Sequence, residues 1–408
     1  MRILPLLLFL SASVSSAQPM PVTGEILISV SDASSRLRPG VAADPAGGFA
    51  VVWREIEGQD GGISGRRLSA AGVPLGTGFV IEPRDDGRHT TDPKAVCRAD
   101  GTLVAAWGEA AYLRPGCAKA RLLAGTGGED GDVFDLGACA NENGRAPKVA
   151  LAGLPDGRFS AAWEEGVTMT AAGTDVVVRS FGGPGEPLAE ARRVDGGEET
   201  AEDGFQTAPA VALDAAGRSV ALWYDGNLAE LLGRRFDAAG QPLGEPFRID
   251  SGTGFPVETA IAAAPGGRFV AAWSSYENGG TRIVAQIFDA AGRKQGAQVA
   301  VSPPDSPSRR HRNPAVALDA DGGFVVVWDA DRVDAGGTGV LGRLFDRRGK
   351  PQGAAFRINT TGPRSQGHPA VAFTRSGRFL VAWDSQKDVS GRGSIVGRLY
   401  TTTKAVLP

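Results

Sequence analysis

Pro314-Ala-Val-Ala-Leu-Asp-Ala-Asp-Gly-Gly-Phe324-Val-Val-Val-Trp328 holds two short apolar stretches on either side of an Asp/Gly turn. Tight polar turns of this kind join the strands of a β-hairpin. The second stretch, Phe324–Trp328, does not alternate: every residue is apolar, so both faces of its strand must be covered. One four-stranded sheet cannot do that, whereas sheets stacked face to face can. The same run ends at Phe269–Trp273, Phe379–Trp383 and Phe159–Trp163.

The tryptophans keep the period. Trp53, Trp107, Trp163, Trp223, Trp273, Trp328 and Trp383 are separated by 54, 56, 60, 50, 55 and 55 residues. A fixed spacing of this length marks a repeat architecture. After each tryptophan comes a second hairpin, seen as Gly342-Arg-Leu-Phe-Asp346, a turn through Gly349 and Phe356-Arg-Ile-Asn359. Each unit therefore predicts four strands, A to D, rich in β-branched and aromatic residues. Seven such units use nearly the whole chain of 408 residues.

Four strands, seven units and two-sided burial predict an all-β, seven-bladed β-propeller with four-stranded antiparallel blades around a channel. The last unit has A, B and C, at residues 368–401, but lacks D. At the other end, Ile26, Ile28 and Val30 alternate in an orphan strand, residues 24–30. That strand is expected to complete the last blade and close the ring, which removes open sheet edges. An open solenoid would need capping segments that the chain does not have.

The recurring Pro-x-Val-Ala, Asp-Gly-x-Phe-Val-Val-x-Trp, Gly-Arg-x-Phe-Asp and Phe-x-Ile-Asn motifs resemble those of secreted bacterial seven-bladed β-propeller repeat proteins. The resemblance covers residues 18–408 and implies the propeller fold. It implies no activity, because propellers host unrelated functions. Trp328-Asp329 and Trp383-Asp384 give the Trp-Asp pair of WD40 repeats, but the Gly-His is missing and the unit is too long. Asp321 lies seven residues ahead of Trp328, which does not match a sialidase Asp-box.

Composition agrees. Glycine contributes 58 residues, hydrophobic residues make up 42%, and 43 basic against 46 acidic residues leave a net charge of −3. A turn-rich β protein fits these values, while disorder and a basic nucleic-acid-binding field do not. Residues 1–17 have the positive start, short apolar run and small-residue exit of a signal peptide. No stretch is long enough to span a membrane. The reading is an exported, monomeric protein in the periplasm or outside the cell.

Export makes disulfides possible. Cys117 opens one strand, Cys139 closes the next, and the turn between them is centred midway, so a cross-strand Cys117–Cys139 bond is expected. Cys97 is left as a free thiol.

Propeller geometry puts the A–B and C–D turns on one face and the B–C and D–A connections on the other. The first pair is short and uniform; the second is long and differs in every blade. Recognition is expected on the variable face, at the channel mouth. Carboxylates emerge there from strand B: Glu109, Glu164, Glu165, Asp225, Asp329 and Asp384. They are the candidate binding residues, with pairing to the strand-C arginines Arg66, Arg179, Arg234, Arg343 and Arg398 as the structural alternative. His89, His311 and His368 come from different blades and read as exposed loop residues rather than a metal site. No catalytic motif is complete, and no cofactor or metal is implied. The functional expectation is a non-enzymatic scaffold that binds a protein or glycan at the variable face. The alternative is a carbohydrate-active hydrolase or lyase using channel-mouth carboxylates.

Overall fold

The computed structural model describes residues 18–402 except 30–33, 59, 86, 112–113, 126–130, 140–144, 167–172, 184, 198–204, 253, 278, 305–308, 335–336, 361–364 and 387–392. Residues 1–17, Val30 and most of the acidic Asp195–Asp203 loop lie outside the described set. All regular elements among the described residues are β, in seven antiparallel sheets of the expected A-B-C-D order. No helix is long and apolar enough to cross a membrane.

Blade 6 is typical, with strands at His311–Leu318, Phe324–Asp334, Gly337–Phe345 and Phe356–Arg357. Its unbroken strand B is explained by where alternate residues go. Phe324, Val326 and Trp328 pack against Val270, Ala272 and Ile283 of blade 5. Val325 and Val327 turn the other way, onto Phe379, Val381 and Trp383 of blade 7. The seven indoles are all buried. Truncating one to alanine would cost about 3–5 kcal/mol.

The ring closes in blade 7, where N-terminal residues serve as strand D. Ile26 faces Gly397 and Leu27 faces Val396 in one short segment, while Met20 faces Thr401 in another. The expected single strand over 24–30 is thus two pieces that begin earlier, at Met20–Pro21 and Ile26–Leu27. Ile28 is fully buried, in a core shared with Phe49, Trp53 and Leu399.

The strand-C arginines do not meet the strand-B carboxylates. Each donates to a backbone carbonyl at strand D of the preceding blade, and all but Arg398 also to one in their own C–D hairpin. Arg179 reaches Ala189 and Leu136, Arg234 reaches Gly244 and Val194, and Arg343 reaches Gly353 and Val301. Arg66 and Arg398 do the same with Ile28 and Ile358 of their preceding blades. A guanidinium suits the task because its fixed fork can serve two acceptors at once.

The variable face also differs from expectation. Several B–C connections read as loops are extensions of the strands: blade 1 pairs Glu57 with Asp60, and blade 5 pairs Glu277 with Gly280. The polar, glycine-containing composition there reflects exposure beyond the core, not an end to pairing. The disulfide is formed, with Cys117 and Cys139 Cα atoms 4.4 Å apart. The ladder pairs Lys119 with Asp135, so Cys139 lies two residues beyond the position facing Cys117. Cys97 is free and buried.

Candidate functional site

The seven A strands are innermost and enclose a channel of about 690 Å³. Counting back from each tryptophan organises its wall. Fifteen residues before it stand Arg38, Asp92, Lys148, Ala208, Glu258, Asn313 and His368, and all seven line the channel. Thirteen residues before it stand Gly40, Lys94, Ala150, Ala210, Ala260, Ala315 and Ala370, which also line it. The first ring differs from blade to blade. The second is small everywhere except at Lys94.

Four members of the first ring have left-handed backbone: Arg38 (φ 54°), Ala208 (φ 56°), Asn313 (φ 51°) and His368 (φ 48°). Each precedes a proline, a position that ordinarily favours extended geometry. Each also lies inside a register shift of strand A. The N–H leaves the ladder and is accepted by a carboxylate of the preceding blade. Ala208 donates to Glu164 at 3.2 Å, Asn313 to Glu258 at 2.5 Å, His368 to Asp329 at 3.0 Å and Arg38 to Asp384 at 3.0 Å. The carboxylates are therefore latches between blades as well as polar groups at the mouth.

Strand parity divides the six candidate carboxylates. Glu164, Asp329 and Asp384 directly follow a tryptophan and form three of the four latches just described; the fourth is Glu258 of strand A. Glu109, Glu165 and Asp225 come one residue later and point to the other side of the strand. Glu109 shares Arg88 with Glu82, at 3.4 and 2.8 Å. Burial, then the charge of Glu109, raises the Glu82 pKa. Glu165 accepts from the Trp163 indole at 3.5 Å, and Asp225 caps the turn amides of Asn227 and Leu228. These three do not converge with the others.

Asp329 and Asp384 do converge. A Cβ placed on Gly367 would lie 3.3 Å from Asp329 Oδ2 and 3.7 Å from Asp384 Oδ1. His368 joins them: its amide goes to Asp329, and its Nδ1 lies 2.7 Å from Asp384 Oδ2. Asp329 also accepts from Asn313 Nδ2 at 2.7 Å. Burial raises the Asp329 pKa despite that bond. For His368, burial opposes the charge, but the hydrogen bond and charge of Asp384 outweigh it and the pKa rises. With Nδ1 committed to Asp384, Nε2 is the ring atom left to meet a ligand.

The histidines therefore do not sit in loops. His311 is buried and accepts from the Trp328 indole through Nδ1 at 2.9 Å, while His368 belongs to the channel mouth. His311 opens strand A of blade 6 and His368 lies in the first part of Gln366–Phe373 in blade 7, so strand A extends further toward this face than its apolar pattern indicates. Only His89 is exposed as expected.

Next to His368 lies a cationic wall from blades 1 and 2. Arg38 Nη1 pairs with Asp92 at 2.9 Å. Arg54 and Lys94, both lining the channel, have no hydrogen-bond or ion-pair partner among the described residues, and Arg54 Nε is buried. Desolvation lowers the pKa of both; Asp92 partly offsets it and Arg38 adds to it. Only Cys117, Asp135 and Cys139 cluster as metal ligands would among the described residues, and their two sulfurs are already bonded to each other.

Arg38, Asp92 and Lys94 lie outside the sequence expectation, which places the site after each tryptophan, and His368 is expected only as an exposed loop residue. The signal was present: with the repeats aligned, position −15 is unlike in every blade, and position −13 has one lysine among alanines and a glycine.

No family model matches the chain, and no curated protein matches it in sequence. Its fold is similar to that of a Dyadobacter fermentans protein of unknown function, with 12% identity, 95% of this chain and 100% of that one covered, and a TM-score of 0.57. It is similar to an ulvan lyase, a polysaccharide lyase, at 10% identity, 94% and 96% coverage and a TM-score of 0.57. A Penicillium chrysogenum α-L-arabinanase, solved with arabinobiose, shares 12% identity over 96% and 100% of the two chains, with a TM-score of 0.50. Propeller glycoside hydrolases and polysaccharide lyases are thus among the structural neighbours of this chain.

Proposed function

We propose that this protein binds a carbohydrate at the channel mouth and that the rest of the propeller is scaffold. The observation that carries the reading is the ring at position −15: seven unlike side chains, charged and neutral, converge on one cavity in an otherwise uniform framework. Sugars are recognised by such mixed, converging polar groups set in an apolar frame. The ulvan lyase and the arabinanase, whose folds are similar, act on or bind carbohydrates, which supports this ligand class over a protein partner. Export belongs to the same reading, since a disulfide suits an oxidising compartment.

Calorimetric titration of residues 18–408 with an oligosaccharide panel tests the proposal. Asp92→Asn and Lys148→Ala, both in the ring, are expected to weaken binding about tenfold or more, about 1.4 kcal/mol. Asn227→Ala, in a B–C turn away from the channel, is expected to leave it unchanged. Binding that follows Asn227 and ignores the ring would place recognition on the outer loops instead.

One observation favours catalysis as a second reading. His368 is held by Asp384 at 2.7 Å with Nε2 free, the arrangement of a general base. Incubation with polysaccharides distinguishes hydrolysis, through new reducing ends alone, from elimination, through ultraviolet absorbance of an unsaturated product. Turnover that survives His368→Asn unchanged would exclude this residue as the base.

A further inference from the structure

Lys94 is the one long side chain in the position −13 ring; five blades have alanine there and blade 1 has Gly40. Small residues suit that ring because the strands approach closely. A Cβ on Gly40 would lie 2.6 Å from the Pro93 carbonyl, immediately before Lys94. The lysine on this wall is partly desolvated, and no group among the described residues accepts a hydrogen bond from its ammonium.

Arg54, from the neighbouring blade, is in the same state. It lines the channel, its Nε is buried, and no protein group accepts from it among the described residues. The local carboxylate, Asp92, is occupied by Arg38 at 2.9 Å. Three cations therefore surround one anion on the wall formed by blades 1 and 2, in a chain whose overall charge is −3. Desolvated cations ordinarily have a partner, and two half-buried ones that line one cavity without a hydrogen-bond acceptor of their own among the described residues define the chemistry that would complete them.

We infer that Lys94 and Arg54, with Arg38 beside them, form a subsite for the anionic group of an acidic sugar, a carboxylate or sulfate ester carried on the chain bound at the mouth. The inference rests on the carbohydrate reading above and specifies its substrate class. Arg54 supplies the planar donor fork and Lys94 a mobile point charge from the adjacent blade. The alanines around the rest of the ring leave room for the sugar ring. Burial has lowered the pKa of both cations, and a bound anion would reverse that effect.

The test is titration of the full chain with acidic oligosaccharides (galacturonate, glucuronate and mannuronate), their carboxyl-reduced neutral counterparts, and a sulfated galactan. Lys94→Ala, which installs the residue of five other blades, should keep the fold, checked by an unchanged thermal midpoint. Lys350→Ala, exposed and remote from the channel, is the charge control. Acidic chains are expected to bind at least tenfold more tightly than neutral ones, and Lys94→Ala to remove that preference while Lys350→Ala retains it. The carboxylated and sulfated arms show which anion the subsite takes. Equal binding of acidic and neutral chains, or an acid preference that survives both Lys94→Ala and Arg54→Gln, overturns the subsite and leaves the carbohydrate reading standing. If no member of the panel binds, both fall.

Discussion

His368 shows how one side chain joins structure to chemistry. Its amide and Nδ1 tie blade 6 and its own strand B to the channel mouth through Asp329 and Asp384. Its folded pKa is raised, so its contribution to stability is complete below the unfolded imidazole value and is lost as pH rises through the folded one. The thermal midpoint is therefore expected to fall from about pH 6 upward, through the region above the ordinary value of ~6.5, more in the wild type than in His368→Asn. Asparagine suits the comparison because it tolerates left-handed backbone. The raised Asp329 pKa acts in the same sense, and the comparison with His368→Asn separates the two because both proteins keep Asp329. Parallel curves for the two proteins would contradict the assignment. Cys97 gives a second residue-scale expectation. Desolvation pushes its thiol up to about 12, and the group is buried, so a thiol reagent should not react with the native protein. Unfolding without reductant should release one thiol per chain, and with reductant three. Any other pair of counts would conflict with the Cys117–Cys139 bond.

At the scale of elements, the repeated arginine is the staple between blades. Arg234 is buried and donates to Val194 of the preceding blade and Gly244 of its own. Arg234→Met keeps much of the packing but leaves both carbonyls without that donor, and is expected to destabilise by about 2 kcal/mol in denaturant unfolding. A change within ~0.5 kcal/mol would mean that water replaces the guanidinium without loss. This interaction also marks how far the sequence could be read. The Gly-Arg-x-Phe-Asp motif put an arginine on strand C of most blades, but nothing in the motif identified a backbone acceptor 38 to 43 residues earlier. The strand order was legible because burial writes a strong apolar pattern at Phe324–Trp328. The latches were not, because they depend on left-handed residues before proline, and Arg38 and Ala208 are not residues usually associated with that geometry. Asn359 is a further case: it fits a glycosylation sequon, yet its side chain is buried and donates to the Thr360 carbonyl while accepting from the Val340 amide.

For the whole molecule, closure and site belong together. The cationic wall lies on blades 1 and 2 and the His368–Asp384 pair on blade 7, so the site spans the junction completed by the N-terminal segment. Deleting residues 18–29 removes Ile28 from a core that includes Trp53 and frees the edge of Gly393–Thr401. The thermal midpoint is expected to drop sharply, with aggregation from the exposed edge. An unchanged midpoint would mean that the ring does not rely on this closure. The number of blades was legible from the tryptophan spacing, and their closure from the missing D strand of the last unit and the orphan strand at the N-terminus. The position of the site around the ring was not, since it requires alignment of unlike residues at a fixed distance from seven indoles.

The most direct test of the account is a crystal structure with a bound acidic oligosaccharide. The ligand is expected at the channel mouth, with its charged group against Arg54 and Lys94 and a ring near His368. Density on the opposite face, or between the outer B–C hairpins with the channel unchanged, would contradict it.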